Sequence, residues 1–152
     1  MTEALFYHLE RQPLDSVLPG LVERTLARGW RAVIQAGSQE RVEALDTMLW
    51  TFTEDSFLPH GTKSDGHAAE QPVYLTDGTD NPNGATVRFL VDGATVPDAE
   101  ALRTYERVVV LFDGQDDLAV GDARAAWKAV KAAGCAATYW QQSAAGRWEK
   151  RV

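Results

Sequence analysis

The sequence contains little cysteine, no long apolar run and no basic, apolar leader segment. Cys135 is the single cysteine among 152 residues, so the chain can form no internal disulfide and no cage of several thiolates around a metal. No stretch approaches the roughly 20 apolar residues that span a bilayer, and Met1 to Glu3 lack the basic start of a secretion signal. We therefore expect a cytoplasmic protein with no membrane partner and no structural metal.

The motifs by which α/β proteins commonly hold nucleotides are also missing. The chain has no G-x-x-x-x-G-K-[ST] loop and no G-x-G-x-x-G fingerprint. Its three histidines, His8, His60 and His67, have no second ligand type at metal-binding spacing, and no nucleophile is grouped with a base. We therefore expect no cofactor, no small-molecule substrate and no catalysis by this chain.

One enzymatic alternative stays open. Asp113 and Asp117 follow a predicted strand, which is where α/β enzymes place carboxylates that bind metals or act as general bases. A small nucleotide- or metal-dependent enzyme is therefore the alternative function. A turn aspartate and a helix cap would explain the same two residues without any chemistry.

Charge is divided unevenly along the chain. Twenty-two acidic residues and fifteen basic residues give a net charge of −7, yet residues 123–152 carry +5, which leaves −12 on residues 1–122. Because affinity for nucleic acid comes mostly from neutralised phosphates, this acidic protein is expected to bind little nucleic acid directly. Its basic C-terminal segment instead favours one local anionic partner.

Apolar runs and helical periodicity alternate along the sequence. Strands are predicted at residues 4–9, 30–36, 73–76, 86–91, 107–112 and 135–141. Helices are predicted at residues 39–51, 99–105 and 117–133, and after an N-cap at Asp15-Ser16, with loops at residues 60–72 and 77–84. This alternation predicts an α/β fold: a single compact, Rossmann-like domain over residues 1–152, with a mainly parallel sheet flanked by helices.

The predicted helix at residues 117–133 is the most informative segment. At about 100° per residue, its small apolar residues share one face, while Arg124, Lys128 and Lys131 share a solvent-facing stripe and Trp127 lies on the border. Cations beside an aromatic ring suit a ligand that is half apolar and half anionic, such as an acidic peptide with a terminal carboxylate and an aromatic side chain. The alternative is a solvated helix face that carries a partly buried tryptophan.

A second aromatic pair lies nearer the middle of the chain. Trp50 stands near the end of the predicted second helix, and Phe57 follows a polar turn. Pro59 biases Leu58 toward an extended backbone, which would hold this segment as a fixed wall. Both rings would alternatively fill the edge of the core.

Several segments, taken together in their order and spacing, resemble the family of DNA polymerase III chi subunits of bacteria. The segments are Phe6-Tyr7, residues 30–36, Leu45-Asp46-x-x-Leu49-Trp50, Ser56-Phe57-Leu58-Pro59-His60, residues 108–112 and Ala123-Arg124-x-x-Trp127-Lys128-Ala129-x-Lys131-x-Ala133-Gly134. The resemblance extends through most of the chain. It implies a non-catalytic accessory subunit of the clamp-loader assembly in DNA replication, with catalysis in another subunit of the polymerase.

The resemblance also implies two protein partners. These are the psi subunit of DNA polymerase III and the acidic, phenylalanine-ended C-terminal tail of the single-stranded DNA-binding protein. The residues that it implies for the tail are Arg124, Trp127, Lys128, Lys131, Phe57 and Trp50. Trp127 stands where the family has a tyrosine and Lys131 where an arginine can occur, so we expect the tail affinity to differ from the family's.

Overall fold

The computed structural model describes residues 2–10, 12–51 and 59–151. Strands and helices alternate through this part of the chain. The strands are β1 (Glu3–Leu9), β2 (Ala32–Gln35), β3 (Gly61–Thr62), β4 (Val73–Thr76), β5 (Val87–Leu90), β6 (Arg107–Asp113), β7 (Ala136–Gln142) and β8 (Trp148–Lys150). The α-helices are α1 (Leu14–Ala27), α2 (Gln39–Thr51), α3 (Ala99–Leu102) and α4 (Asp117–Ala132).

The described strands form one sheet in the order β3-β4-β2-β5-β6-β1-β7-β8. Neighbouring strands are parallel throughout, except that β8 runs antiparallel to β7. Strand β6 lies inside the sheet, and its β-branched run from Val108 to Val110 is buried, as a strand covered on both faces requires. The predicted α/β class with a mainly parallel sheet is therefore confirmed.

Helices cover both faces of the sheet. Apolar residues of α1 and α2 pack on one face together with Val109 and Leu111 of β6, and we call this the α1 face. Residues of α3 and α4 pack on the other face together with Val108 and Val110, and we call this the α4 face. Because successive side chains of a strand point to opposite faces, the two cores share one sheet.

Helix α4 forms as its sequence predicts. The Asp116 carboxylate accepts hydrogen bonds from the backbone N–H groups of Leu118, at 3.0 Å, and Ala119, at 3.4 Å, so it caps the first turn. Gly134, with φ of 88°, follows the last turn in the left-handed conformation that glycine adopts without strain. The small residues Ala123 and Ala126 are buried, which lets the helix lie close to the sheet.

The structure differs from the sequence analysis at the start of α1, in the loop at residues 60–72 and after β7. Helix α1 begins at Leu14 after Pro13 and has no side-chain cap, so the predicted cap at Asp15-Ser16 is wrong. Asp15 lies instead in the first turn, where its negative charge interacts favourably with the helix dipole. The predicted loop at residues 60–72 contains the two-residue strand β3 and two short 3-10 turns. The strand predicted at residues 135–141 corresponds to β7, and a hairpin turn connects it to β8, a short strand that was not predicted.

No helix within the three described ranges is both long enough and apolar enough to cross a bilayer.

Candidate functional site

Three cationic side chains lie along the outer surface of α4. Arg124, Lys128 and Lys131 are all exposed, and their spacing of four and three residues places them on the same side of the helix. Among the described residues, no carboxylate forms an ion pair with any of them. Their charges therefore remain available to an anionic ligand.

The indole of Trp127 lies beside these cations and is half-buried. Its ring packs edge-on against Phe6 of β1, with 5.2 Å between the ring centroids, and against Tyr139 of β7, at 6.3 Å. Lys131 Nζ lies 5.9 Å from the centroid of the indole, within cation–π distance. The predicted position of Trp127, at the border between the packed and exposed sides of α4, is confirmed.

Tyr139 belongs to the same cluster, although the sequence analysis did not single it out. Its ring packs against Phe112 at 6.1 Å, and its hydroxyl is hydrogen-bonded to Nδ1 of His8. His8 Nε2 in turn lies 3.0 Å from Oε1 of Glu10. These contacts hold the tyrosine ring in one orientation beside Trp127.

The electrostatic surroundings keep the Tyr139 hydroxyl neutral. Burial raises the pKa of the phenol above its usual value of 10, the nearby Glu10 carboxylate raises this pKa further, and the Arg124 guanidinium lowers it in part. Arg124 precedes Trp127 by three residues on α4, so their side chains are neighbours on the helix surface. At physiological pH, Tyr139 therefore offers an apolar ring and no negative charge.

Helix α4 and strand β7 together form a surface that is partly exposed. Ala137 and Tyr139 of β7 lie on the α4 face but are only partly covered, and Trp127 lies between them and the exposed side of the helix. We call this surface, formed by Arg124, Trp127, Lys131, Ala137 and Tyr139, the α4 groove. It has an aromatic floor with cations at its helical edge, as a ligand with a ring and a carboxylate requires.

Lys128 extends the positive charge away from the groove. About 100° of helix separates it from Trp127, so it projects from the outermost side of α4. It therefore adds positive charge beside the groove without lining it.

Trp50 lies apart from the α4 groove. It belongs to α2, whose buried residues pack on the α1 face, whereas Trp127 packs on the α4 face. Its side chain is 54% exposed, so it does not fill the edge of the core, and its ring lies 5.0 Å from the buried imidazole of His60. Phe57, the other predicted wall residue, lies outside the residues that the structure describes.

A separate cleft of about 820 Å³ opens at the carboxyl ends of β1, β5 and β6. Its lining includes the carboxylates of Asp92, Asp113, Asp116 and Asp122. Parallel α/β sheets often bind ligands at this edge, but the negative lining disfavours the phosphates of a nucleotide.

The two aspartates of the enzymatic alternative have structural roles. Asp113 Oδ1 accepts a hydrogen bond from the backbone N–H of Gln115 at 2.9 Å, which closes the turn after β6. Asp117 lies in the first turn of α4, where its charge favours the helix dipole, and it does not line the cleft. Within the described ranges, no three His, Cys, Asp or Glu side chains are grouped so as to hold a metal ion. The geometry therefore does not favour the enzymatic alternative.

Comparison with known proteins gives two similarities. Residues 1–138 match the model of a protein family described as "DNA polymerase III chi subunit, HolC". A curated relative, the "Probable DNA polymerase III subunit chi" of Rickettsia prowazekii (strain Madrid E), is 27% identical over 122 residues, which cover 78% of this chain and 74% of the relative. The family match includes all of α4 and the first residues of β7.

Proposed function

This chain belongs to the DNA polymerase III chi subunit family, and on this basis we propose that its α4 groove binds the acidic, phenylalanine-ended C-terminal tail of the single-stranded DNA-binding protein. In this role the chain is an accessory subunit of the clamp-loader assembly that performs no reaction itself and takes no cofactor. Its second partner is the psi subunit, and both partners place it in the cytoplasm. The chain then links the replicase to single strands that are already coated with protein.

The observation that carries the proposal is the free positive charge around Trp127. Arg124 and Lys131 lie at the edge of the groove, and Lys128 lies on the outer side of the helix. A terminal carboxylate would pair with these cations, while the benzyl group of a terminal phenylalanine would pack on the exposed sides of the Trp127 and Tyr139 rings. A hot-spot contact of this kind contributes on the order of 2 kcal/mol.

The charge of the whole chain supports a protein partner over DNA itself. With a net charge of −7, the protein is repelled from phosphates except near α4. A protein that is already bound to DNA and has an acidic tail is therefore a better ligand than the strand. One weak peptide contact, added to the other contacts of the replicase, increases the overall binding by avidity.

A titration with a synthetic tail peptide tests the proposal. We expect Arg124→Glu to weaken binding of an acidic peptide ending in phenylalanine at least tenfold, which corresponds to a loss of about 1.4 kcal/mol. Isothermal calorimetry or fluorescence anisotropy would measure the dissociation constant. Lys63→Glu is the matched control, since it makes the same change of charge in an exposed turn next to β3, at the far edge of the sheet.

Two comparisons sharpen this titration. A peptide whose terminal phenylalanine is changed to alanine should bind weakly to the unmodified protein, because the aromatic contact is lost. Trp50→Ala should leave the affinity within about twofold, because Trp50 lies on the other face of the sheet. Equal binding by the Arg124→Glu and Lys63→Glu proteins would reject the α4 groove as the tail site.

A further inference from the structure

We propose that the hairpin of β7 and β8 forms the second wall of the tail site, with Tyr139 as a specificity residue for the terminal ring and Arg151 as an additional cation. This inference rests on the proposed function, because it concerns the same ligand. It places a guanidinium on the side of the aromatic floor opposite to α4. It also makes the affinity depend on a segment outside residues 1–138, the part of the chain that matches the family model.

The register of the hairpin determines which side chains face the groove. Trp140 pairs with Lys150 and Gln141 pairs with Glu149, so the next pair along the two chains is Tyr139 with Arg151. The backbone N–H of Arg151 donates to the carbonyl of Tyr139 at 2.7 Å, which continues the ladder. Directly opposite residues of an antiparallel pair face the same side of the sheet. Because Tyr139 faces α4, Arg151 does so too.

Arg151 has only a weak partner of its own. Its Nη2 lies 3.6 Å from Oε2 of Glu149, and the two side chains are 50% and 48% exposed. An exposed ion pair of this length contributes little, so a ligand carboxylate can compete with Glu149 for the guanidinium. A guanidinium also binds a carboxylate through two parallel hydrogen bonds, which a lysine cannot do.

The contacts of Tyr139 hold its ring in place beside Trp127. The hydrogen bond to His8 directs its hydroxyl toward the sheet, and Phe112 supports the ring from the side. Trp127 meets it edge-on with 70° between the ring planes. The two rings thus form a fixed corner, and fixed aromatic surfaces bind a third ring at a low entropic cost.

The cations lie on opposite sides of this corner. Arg124 and Lys131 belong to α4, whereas Arg151 follows β8 and pairs with Tyr139 of β7. The terminal carboxylate of a ligand whose benzyl ring is bound here would reach the cations on one side of the two rings. The acidic side chain that precedes the terminal residue would reach the cations on the opposite side. The arrangement therefore suits a ligand with at least two negative charges next to a terminal aromatic residue.

Lys150, the last residue of β8, and Arg151, the residue that follows it, provide a matched pair of variants. Arg151→Glu and Lys150→Glu make the same change of charge one residue apart, but Lys150 pairs with Trp140, which stacks on Tyr7 on the α1 face. Using the whole 152-residue chain and the same tail peptide, we expect Arg151→Glu to weaken binding about fivefold to tenfold and Lys150→Glu to change it less than twofold. Glu149→Gln, which frees Arg151, should tighten binding about twofold.

The tyrosine is tested by two substitutions. Tyr139→Phe keeps the ring and should keep the affinity within about twofold, whereas Tyr139→Ala should weaken binding at least fivefold. Thermal unfolding of each variant identifies any loss of fold. Arg151 is exposed, so its variants keep the test decisive even if Tyr139→Ala unfolds.

The outcomes separate this inference from the proposed function. If Arg124→Glu abolishes binding while Arg151→Glu and Lys150→Glu bind equally well, the hairpin wall is rejected and the α4 groove stands. If Arg124→Glu also binds like the unmodified protein, the proposed function itself fails. If Arg151→Glu weakens binding and Lys150→Glu does not, the result supports the inference.

Discussion

Arg88 is a fully buried cation that forms no ion pair among the described residues. Its Nε donates to Gln35 Oε1 at 2.9 Å, and its Nη1 donates to the hydroxyl of Tyr105 at 3.0 Å. Two further hydrogen bonds go to backbone carbonyls, from Nη1 to Asp80 at 2.9 Å and from Nη2 to Gly78 at 2.6 Å. Neutral oxygens thus replace the water that the guanidinium loses on burial. The two carbonyls belong to the loop after β4, so Arg88 fastens this loop to the sheet.

Replacing Arg88 should therefore cost much of the stability of the protein. Arg88→Met keeps most of the volume but leaves four acceptors without their donor, two of them on the buried residues Gln35 and Tyr105, so we expect a loss of about 3–5 kcal/mol in the free energy of unfolding. Urea unfolding followed by circular dichroism would measure it. Lys63→Met removes an exposed cation that takes no part in these hydrogen bonds and should stay within about 0.5 kcal/mol of the unmodified protein. A loss below 1 kcal/mol for Arg88→Met would show that water replaces these hydrogen bonds.

Single residues also show how far the sequence predicts the site. The cations of α4 are exposed as their helical spacing requires, and Trp127 lies at the predicted border. Tyr139 could not be identified as their neighbour, because its position depends on β7 lying next to β1 in the sheet. The local sequences of α4 and β7 contain no pattern that predicts this contact.

Helix α4 has a capping aspartate whose role can be tested on its own. Asp116→Ala removes the acceptor for the N–H groups of Leu118 and Ala119, and we expect the free energy of unfolding to fall by about 1 kcal/mol. Asp116→Asn retains an oxygen acceptor and should lose much less. Comparing the urea midpoints of the two variants at equal slope distinguishes capping from the loss of a surface charge. Equal losses would assign the effect to charge.

The elements were predictable wherever a local pattern was long. The structure places α2 at the predicted residues 39–51 and β4 at the predicted residues 73–76, and α4 ends one residue before the predicted end. The strands β3 and β8 were missed, because two or three residues cannot show an alternation of apolar and polar side chains.

The relation between the helices depends on the order of the strands. The chain moves from β2 through α2 toward one edge of the sheet, and from β6 through α4 toward the other edge. Because crossovers between parallel strands are nearly always right-handed, opposite directions place the helices on opposite faces. Trp50 and Trp127 are separated for this reason, and a sequence pattern alone does not contain the strand order.

At the scale of the whole molecule, charge distinguishes the partners. We expect a fluorescent oligothymidine to bind at least tenfold more weakly than the tail peptide at about 150 mM salt, because one basic segment on an acidic body neutralises few phosphates. Anisotropy titrations of both ligands against the same protein would compare them. The affinity for the peptide should itself fall as the salt concentration rises. Equal affinities for the two ligands would favour direct binding of DNA.

The described sheet ends in a strand of two residues at one edge and a strand of three at the other. A strand of another molecule that paired with either edge would therefore find only a few free backbone N–H and C=O groups. Neighbouring copies of this chain would therefore have little exposed strand edge through which to join into ladders or fibrils.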